Sequence, residues 1–204
     1  MEKLSGLISA PYTPFHPDGG LHLEVIDSLV ERAAATGLAG VFPCGTTGEF
    51  PSLTLEERRQ VSERWVQGAG GRFRVIVHAG GTCLGDSKEL AVHAGSVGAD
   101  GIAMIGPYFF RPTTVEELVR YCEEVAAAAP DLPFYYYHIP VMSGVTLSMR
   151  DFLELAGDRI PSLAGIKFTH PDPMDIRRCL SWRDGRYEIL FGMDEALLDR
   201  KSVV

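Results

Sequence analysis

The sequence predicts an α/β fold with a parallel sheet, because short apolar runs alternate with helical patterns seven times along the chain. The apolar runs are rich in valine and isoleucine, which is typical of strands buried on both faces. We expect strands over residues 7–13, 38–43, 73–79, 101–105, 132–138, 163–169 and 187–191. No linker or change of composition interrupts the pattern, so the units belong to one domain.

Two architectures build a parallel sheet from such units: an open doubly wound sheet and a (β/α)8 TIM barrel. A dinucleotide-binding open sheet favours a Gly-x-Gly-x-x-Gly turn after its first strand, and none follows residues 7–13. Polar residues instead recur at or just after the carboxyl ends of strands, where barrel enzymes build their sites. These residues are Thr46, Thr47, Tyr137, Lys167 and Asp194. The sequence therefore predicts the barrel.

Capping residues indicate where the helices begin. A threonine followed three residues later by a glutamate gives capping-box spacing at Thr54 and again at Thr114. We expect Asp86 to cap the third helix in the same way. Ser148 opens the helix after the fifth strand, and Asp172, with proline at the next position, opens the helix after the sixth.

Composition and charge exclude several classes of function. The chain has 204 residues, is 46% hydrophobic and carries a formal net charge of −8. The negative charge argues against nucleic acid or an anionic membrane as partner. The four cysteines include no Cys-x-x-Cys pair, so we expect no metal site and no disulfide framework. The N-terminus carries no signal-peptide or membrane-span pattern, and we expect a cytoplasmic protein.

Lys167 is the residue with the most distinctive setting. It lies in an apolar strand between Ile166 and Phe168. Such a lysine either extends its amine to the surface at a strand end or keeps a desolvated amine with a lowered pKa. In the second case the amine is a nucleophile towards carbonyl carbon. The motifs upstream and downstream favour the second interpretation.

Four motifs in order carry a resemblance to a known family. They are the turn Gly-Thr-Thr-Gly-Glu at residues 45–49, Tyr137 before His-Ile-Pro, Gly-Ile-Lys at residues 165–167, and Gly-Met-Asp-Glu at residues 192–195. From about residue 7 to 198, the chain resembles the dihydrodipicolinate synthase/N-acetylneuraminate lyase family of pyruvate-dependent class I aldolases. The resemblance implies a (β/α)8 barrel that needs no cofactor and no metal.

The resemblance also implies a role for each motif. Lys167 would form a Schiff base with the keto carbon of pyruvate, and Tyr137 would relay a proton to and from the aldol hydroxyl. Thr46 and Thr47 would hold the pyruvate carboxylate. Each has a plainer alternative, core packing for the tyrosine and an ordinary capped turn for the threonines. Glu49 matches the family turn but receives no chemical role.

Two positions distinguish branches of the family. The synthases generally carry an arginine where this chain has Met142, and a second tyrosine where it has Phe109. Both departures favour the lyase branch. The segment at residues 135–144 also resembles that branch; it reads Tyr-Tyr-Tyr-His-Ile-Pro-Val-Met-Ser-Gly. In that branch the matching residues that bind the sugar's hydroxyl chain are Thr169, Gly192, Asp194 and Glu195. Asp194 and Glu195 have an alternative explanation, because acidic residues are favourable at a helix N-terminus whether or not they bind a ligand.

The expected function is that of a lyase that cleaves N-acetylneuraminate into N-acetylmannosamine and pyruvate. Another 2-oxo-acid aldolase of the family, such as dihydrodipicolinate synthase, and a non-catalytic truncated homologue are the alternatives. The expected partner is a small-molecule substrate, with neither nucleic acid nor membrane. The resemblance implies a homotetramer for the full-length protein.

We expect residues 1–198 to form an incomplete barrel. A (β/α)8 barrel usually needs about 250 residues, and this chain accounts for about seven units without the eighth strand and the C-terminal helices. The hexapeptide at residues 199–204 does not continue the family pattern, and we suspect a non-native tail. The chain as written is therefore expected to be inactive.

Overall fold

A computed structural model describes residues 3–196, which contain one sheet of seven parallel strands in the order β1 to β7. Each strand pairs with the next one along the chain. The strands are Ile8–Ser9 (β1), Gly40–Val41 (β2), Arg74–His78 (β3), Gly101–Ile105 (β4), Phe134–His138 (β5), Leu163–Phe168 (β6) and Glu188–Phe191 (β7). The predicted alternation and parallel order are confirmed. The suspected tail at 199–204 lies outside the described residues.

Helices follow the strands as the pattern predicted. They are Leu23–Ala35 (α1), Leu55–Ala69 (α2), Leu84–Ser96 (α3), Val115–Ala126 (α4), Pro140–Ser143 (α5), Met149–Arg159 (α6) and Pro173–Ser181 (α7). Short 3₁₀ turns occur at Phe50–Ser52, Trp182–Gly185 and Asp194–Ala196. Among the described residues, none of the helices has the length and apolar character that a bilayer crossing requires.

The first two strands are much shorter than predicted. Residues 7–13 and 38–43 were expected to be extended strands, but only two residues of each enter the sheet. Pro11 and Pro43 lack a backbone N–H and cannot donate to a neighbouring strand, although the carbonyl of Pro43 still accepts a 3.2 Å hydrogen bond from the N–H of His78. By contrast, β4 occupies residues 101–105, as predicted.

Four of the five predicted helix caps are confirmed. Thr54 and Thr114 form capping boxes with the glutamates three residues on, and Ser148 and Asp172 accept hydrogen bonds from the first turn of their helices. The prediction for α3 is wrong. That helix begins after Cys83, and its predicted cap lies inside the first turn, because the chain becomes helical before reaching it.

The three tyrosines of β5 point alternately to opposite faces of the sheet. Tyr136 packs against Phe152 of α6, with ring centroids 4.8 Å apart. Tyr135 and Tyr137 lie on the other face, where Tyr135 donates a 2.7 Å hydrogen bond to Glu188 of β7. The alternation expected of a strand is therefore present.

Strands β6 and β7 approach each other closely at Gly165. A Cβ atom on this residue would lie 1.9 Å from the carbonyl oxygen of Glu188. The carboxylate of Glu188 also accepts a 3.0 Å hydrogen bond from the backbone N–H of Leu4. The glycine two residues before Lys167 thus allows β6, β7 and the N-terminal segment to pack together.

Candidate active site

A cavity of about 680 Å³ is lined by residues at the carboxyl ends of the strands, and it extends along residues 4–10, β7 and α7. Seven of the eight predicted site residues line it: Thr46, Thr47, Tyr137, Lys167, Thr169, Gly192 and Asp194. The eighth, Glu195, is exposed and lies outside the lining. Residues that lie in β5, β6 and β7 or that follow β2, β6 and β7 thus meet at one place although they lie far apart in the sequence.

The amine of Lys167 lies against aromatic rings. Its Nζ is 3.6 Å from the centroid of the Tyr137 ring and 4.9 Å from that of Phe42. Burial lowers the pKa of Lys167 to about 7, and the negative charge of Asp194 acts in the opposite direction. Comparable amounts of neutral and protonated amine therefore exist at neutral pH, and the neutral form is nucleophilic.

Tyr137 presents its hydroxyl beside the hydroxyl of Thr46. The two oxygens are 3.1 Å apart, within hydrogen-bonding distance. Burial raises the pKa of Tyr137, and the hydroxyls of Thr46 and Thr169 act to lower it. The phenol consequently remains protonated at neutral pH and can donate or relay a proton.

The turn that carries Thr46 and Thr47 is held by close backbone approaches. A Cβ atom on Gly45 would lie 2.9 Å from the ring of Phe42, and one on Gly48 would lie 3.2 Å from the carbonyl oxygen of Pro11. Thr13 also donates a 2.8 Å hydrogen bond to the Gly48 carbonyl. These contacts fix a turn whose hydroxyls can bind a carboxylate.

Glu49, to which we assigned no role, closes this turn. Its backbone adopts the left-handed conformation, with φ of 56°, and its side chain is exposed. Few non-glycine residues adopt this conformation, so the backbone at this point is strained by a modest amount.

Thr169, which follows β6, and Gly192 and Asp194, which follow β7, also line the cavity. The side chain of Thr169 places its Oγ1 where a Cβ atom on Gly192 would be only 2.3 Å away. Glycine at position 192 is therefore required by the position of the threonine. Asp194 begins a 3₁₀ turn and is exposed, and its carboxylate can accept hydrogen bonds from a polyol.

Sequence reasoning missed the buried polar residues behind the site. Arg58 of α2 donates a 2.7 Å hydrogen bond to the carbonyl of His78 at the end of β3. The imidazole of His78 accepts a bond from the N–H of Ile105 and packs edge-on against Tyr137, with centroids 5.8 Å apart. Burial lowers the pKa of His78 well below its usual value, so the ring is neutral.

One signal in the sequence could have found Arg58. It occupies the same face of α2 as Val61, Trp65 and Ala69, all of which are buried. An arginine at helical spacing with apolar residues is unusual, and it indicates a buried guanidinium that supports neighbouring backbone.

Within residues 3–196, the side chains with metal-ligand spacing lie away from the cavity, at His16, His22 and Glu24. The groups around the cavity are an amine, hydroxyls, a carboxylate and a phenol. These suit covalent and acid–base chemistry on a carbonyl compound.

The parallel strands and the cavity at their carboxyl ends define a protein of the (β/α)8 barrel class. The model of the Dihydrodipicolinate synthetase family matches residues 3–203. The chain belongs to this family.

Relatives with known names support the same placement. The chain is 41% identical to N-acetylneuraminate lyase of Gallus gallus over 99% of its length, and 44% identical to that of Homo sapiens over 97%. It spans 67% and 62% of those two proteins. The solved structure of Proteus mirabilis N-acetylneuraminate lyase superimposes with a TM-score of 0.96 and 44% identity, covering 99% of this chain and 68% of that one. The predicted barrel type is thereby confirmed.

Proposed function

We propose that this chain carries the catalytic centre of a Schiff-base lyase that cleaves N-acetylneuraminate into N-acetylmannosamine and pyruvate. The observation that carries the proposal is the amine of Lys167, 3.6 Å from the ring centroid of a buried Tyr137, in a cavity at the strand ends. The relatives described above, named as N-acetylneuraminate lyases, support the choice of substrate.

Lys167 forms and later releases the covalent bond. Its neutral amine attacks the keto carbon of the open-chain sugar acid, and loss of water gives a protonated imine. The imine accepts the electron pair of the adjacent carbon–carbon bond as that bond breaks. Protonation of the resulting enamine carbon and hydrolysis of the imine release pyruvate and restore the amine.

Tyr137 moves the proton that bond cleavage requires. As the carbon–carbon bond breaks, the hydroxyl on the far carbon loses its proton and becomes the aldehyde of N-acetylmannosamine. Burial raises the pKa of Tyr137, so the phenol is protonated between turnovers and takes up this proton only as it passes its own proton on. The hydroxyl of Thr46 at 3.1 Å relays that proton, which is finally consumed when the enamine carbon is protonated.

Thr46 and Thr47 hold the carboxylate, and Thr169, Gly192, Asp194 and Glu195 bind the hydroxyl chain. The first group lies beside Tyr137, which places the carboxylate next to the reacting carbon. Glu195 lies outside the cavity lining, so it reaches the sugar only at the rim. Met142 is exposed and uncharged, in keeping with an aldehyde that carries no carboxylate near it.

We propose in addition that the whole protein is a cytoplasmic homotetramer. The family resemblance supports the tetramer. All four cysteines are free thiols, three of them buried, which suits a reducing compartment. Size-exclusion chromatography with light scattering tests the first statement, and cell fractionation tests the second.

Borohydride trapping tests the catalytic proposal directly. Incubation with pyruvate and borohydride is expected to reduce the imine to a stable amine on Lys167, located by peptide mass spectrometry. Trapping needs only the amine and the carboxylate clamp, so it also applies to a chain that turns over no sugar. Lys167→Met is expected to abolish the adduct, while Lys88→Met, at an exposed lysine on α3, leaves it unchanged.

An adduct on a different lysine, or none, contradicts the mechanism. The substrate is tested separately by comparing cleavage of N-acetylneuraminate with condensation of pyruvate and aspartate semialdehyde. Efficient condensation without cleavage of the sugar acid assigns the chain to the synthase branch instead.

A further inference from the structure

The loop between β1 and α1 brings two imidazoles and a carboxylate together outside the cavity. The rings of His16 and His22 stack with centroids 3.9 Å apart and planes 21° apart. A carboxylate oxygen of Glu24 lies 3.9 Å from Nε2 of His22. One ligand atom from each of the three residues lies within 4.8 Å of the other two, and none of the three residues lines the cavity.

The backbone holds this cluster in place. Residues 15–21 form a tight hairpin closed by an antiparallel bridge. The N–H of His16 donates to the carbonyl of Gly20 at 2.8 Å, and the N–H of His22 donates to that of Pro14 at 2.9 Å. Glu24 lies in the first turn of α1, directly after the hairpin. The three side chains therefore start from fixed backbone positions, and little backbone conformational entropy is lost when they bind an ion.

The side chains themselves have few other partners. Among residues 3–196, neither imidazole has a hydrogen bond to another side chain or to backbone, apart from the long contact of His22 with Glu24. His16 and Glu24 are exposed, so rotation of their side chains costs little. Ligand atoms around a tetrahedral zinc lie about 3.3 Å apart, given bonds of about 2.0–2.1 Å. The stacked rings direct their in-plane lone pairs nearly parallel to one another, so binding of one ion requires the exposed His16 ring to rotate out of the stack.

The donor set selects the kind of ion. Two imidazoles and one carboxylate are the protein ligands of zinc sites that leave the remaining position to water. Imidazole also suits nickel and copper, whereas calcium and magnesium prefer oxygen ligands. We propose that His16, His22 and Glu24 bind one divalent transition-metal cation of the zinc type, with water completing the coordination.

Zinc binding to protein without an affinity tag tests the proposal. Titration calorimetry is expected to give one site per chain, and His16→Gln or Glu24→Gln is expected to weaken it about tenfold or more, since each removes a direct ligand. His93→Gln on α3 is the matched control and retains the wild-type affinity. Lys167→Met also retains it, which separates this site from the proposed catalytic centre.

X-ray absorption at the zinc edge identifies the ligands. Nitrogen and oxygen neighbours with an imidazole pattern support the site. A sulfur neighbour overturns it, because it places the ion on the exposed Cys83 instead. Unchanged zinc affinity in both His16→Gln and Glu24→Gln overturns it as well. Circular dichroism of each variant checks that the fold is intact.

Discussion

Two parts of the site differ in how firmly their side chains are held. Tyr137 of β5 and Lys167 of β6 are direct partners in the register of two paired strands. Asp194 and Glu195, by contrast, lie on a three-residue 3₁₀ turn after β7, and both are exposed. The amine and phenol are therefore positioned by the sheet, whereas the acids at the rim depend on a short local turn.

This difference matches the chemistry that each part performs in the proposed reaction. Covalent and proton-transfer steps need atoms held within a fraction of an ångström, which paired strands provide. Recognition of a flexible polyol needs only several hydrogen-bond acceptors in reach. Substitutions of Tyr137 and Lys167 should therefore affect the chemical step, and those of the acids at the rim should affect substrate affinity.

The largest effect is expected at Tyr137. Tyr137→Phe removes the hydroxyl that moves the proton, and we expect kcat for N-acetylneuraminate cleavage to fall about 10²-fold with little change in KM. Steady-state kinetics measures both. Tyr136→Phe is the control, because this tyrosine lies on the other face of β5, against Phe152 of α6, and does not line the cavity. Equal losses in the two variants would assign the effect to packing.

The next effect concerns pH. The pKa of Lys167 is lowered to about 7 by burial, and only the neutral amine attacks the keto carbon. The rate of borohydride-trapped imine formation should be level above pH 7 and should fall about tenfold for each pH unit below it. A rate that continues to rise up to pH 10 would show that the amine retains an ordinary pKa.

The smallest effect is expected at Gly192. Gly192→Ala places a methyl group 2.3 Å from Oγ1 of Thr169, and we expect about 1–3 kcal/mol of destabilisation together with a raised KM for the sugar acid. Urea unfolding measures the first quantity. Trapping of pyruvate at Lys167 should persist, since the substitution removes neither the amine nor the threonines that hold the carboxylate.

A double variant tests the cause of that destabilisation. Thr169→Ala removes the hydroxyl that collides with the methyl group, so Gly192→Ala should cost less in its presence than in the wild-type background. Gly85→Ala in α3 is the matched control, where the new Cβ meets Sγ of Cys83 at an ordinary 3.8 Å. Additive free energies of unfolding for Gly192→Ala and Thr169→Ala would show that the collision is relieved by other movements.

Local signals predicted the elements where one short pattern decides the structure. The capping boxes at Thr54 and Thr114 formed because both partners lie within one helical turn. The α3 cap was wrongly assigned to Asp86 because capping-box spacing also begins at this residue, which lies inside the helix. Nothing in the sequence marks Cys83 as the boundary. The short extents of β1 and β2 were missed because apolar runs do not reveal which residues find a partner strand.

The sequence by itself determined the parallel α/β order, the family and the residues that meet in the cavity. Apolar periodicity and short motifs are properties of the local sequence and do not depend on tertiary contacts, so they can be recognised without a structure. Only the tertiary structure decided the surroundings of those residues. The lowered pKa of Lys167, the support of His78 by Arg58 and the collision that reserves position 192 for glycine all arise between residues far apart in the sequence. Burial and contact distance are properties of the packed chain, and no local pattern encodes them.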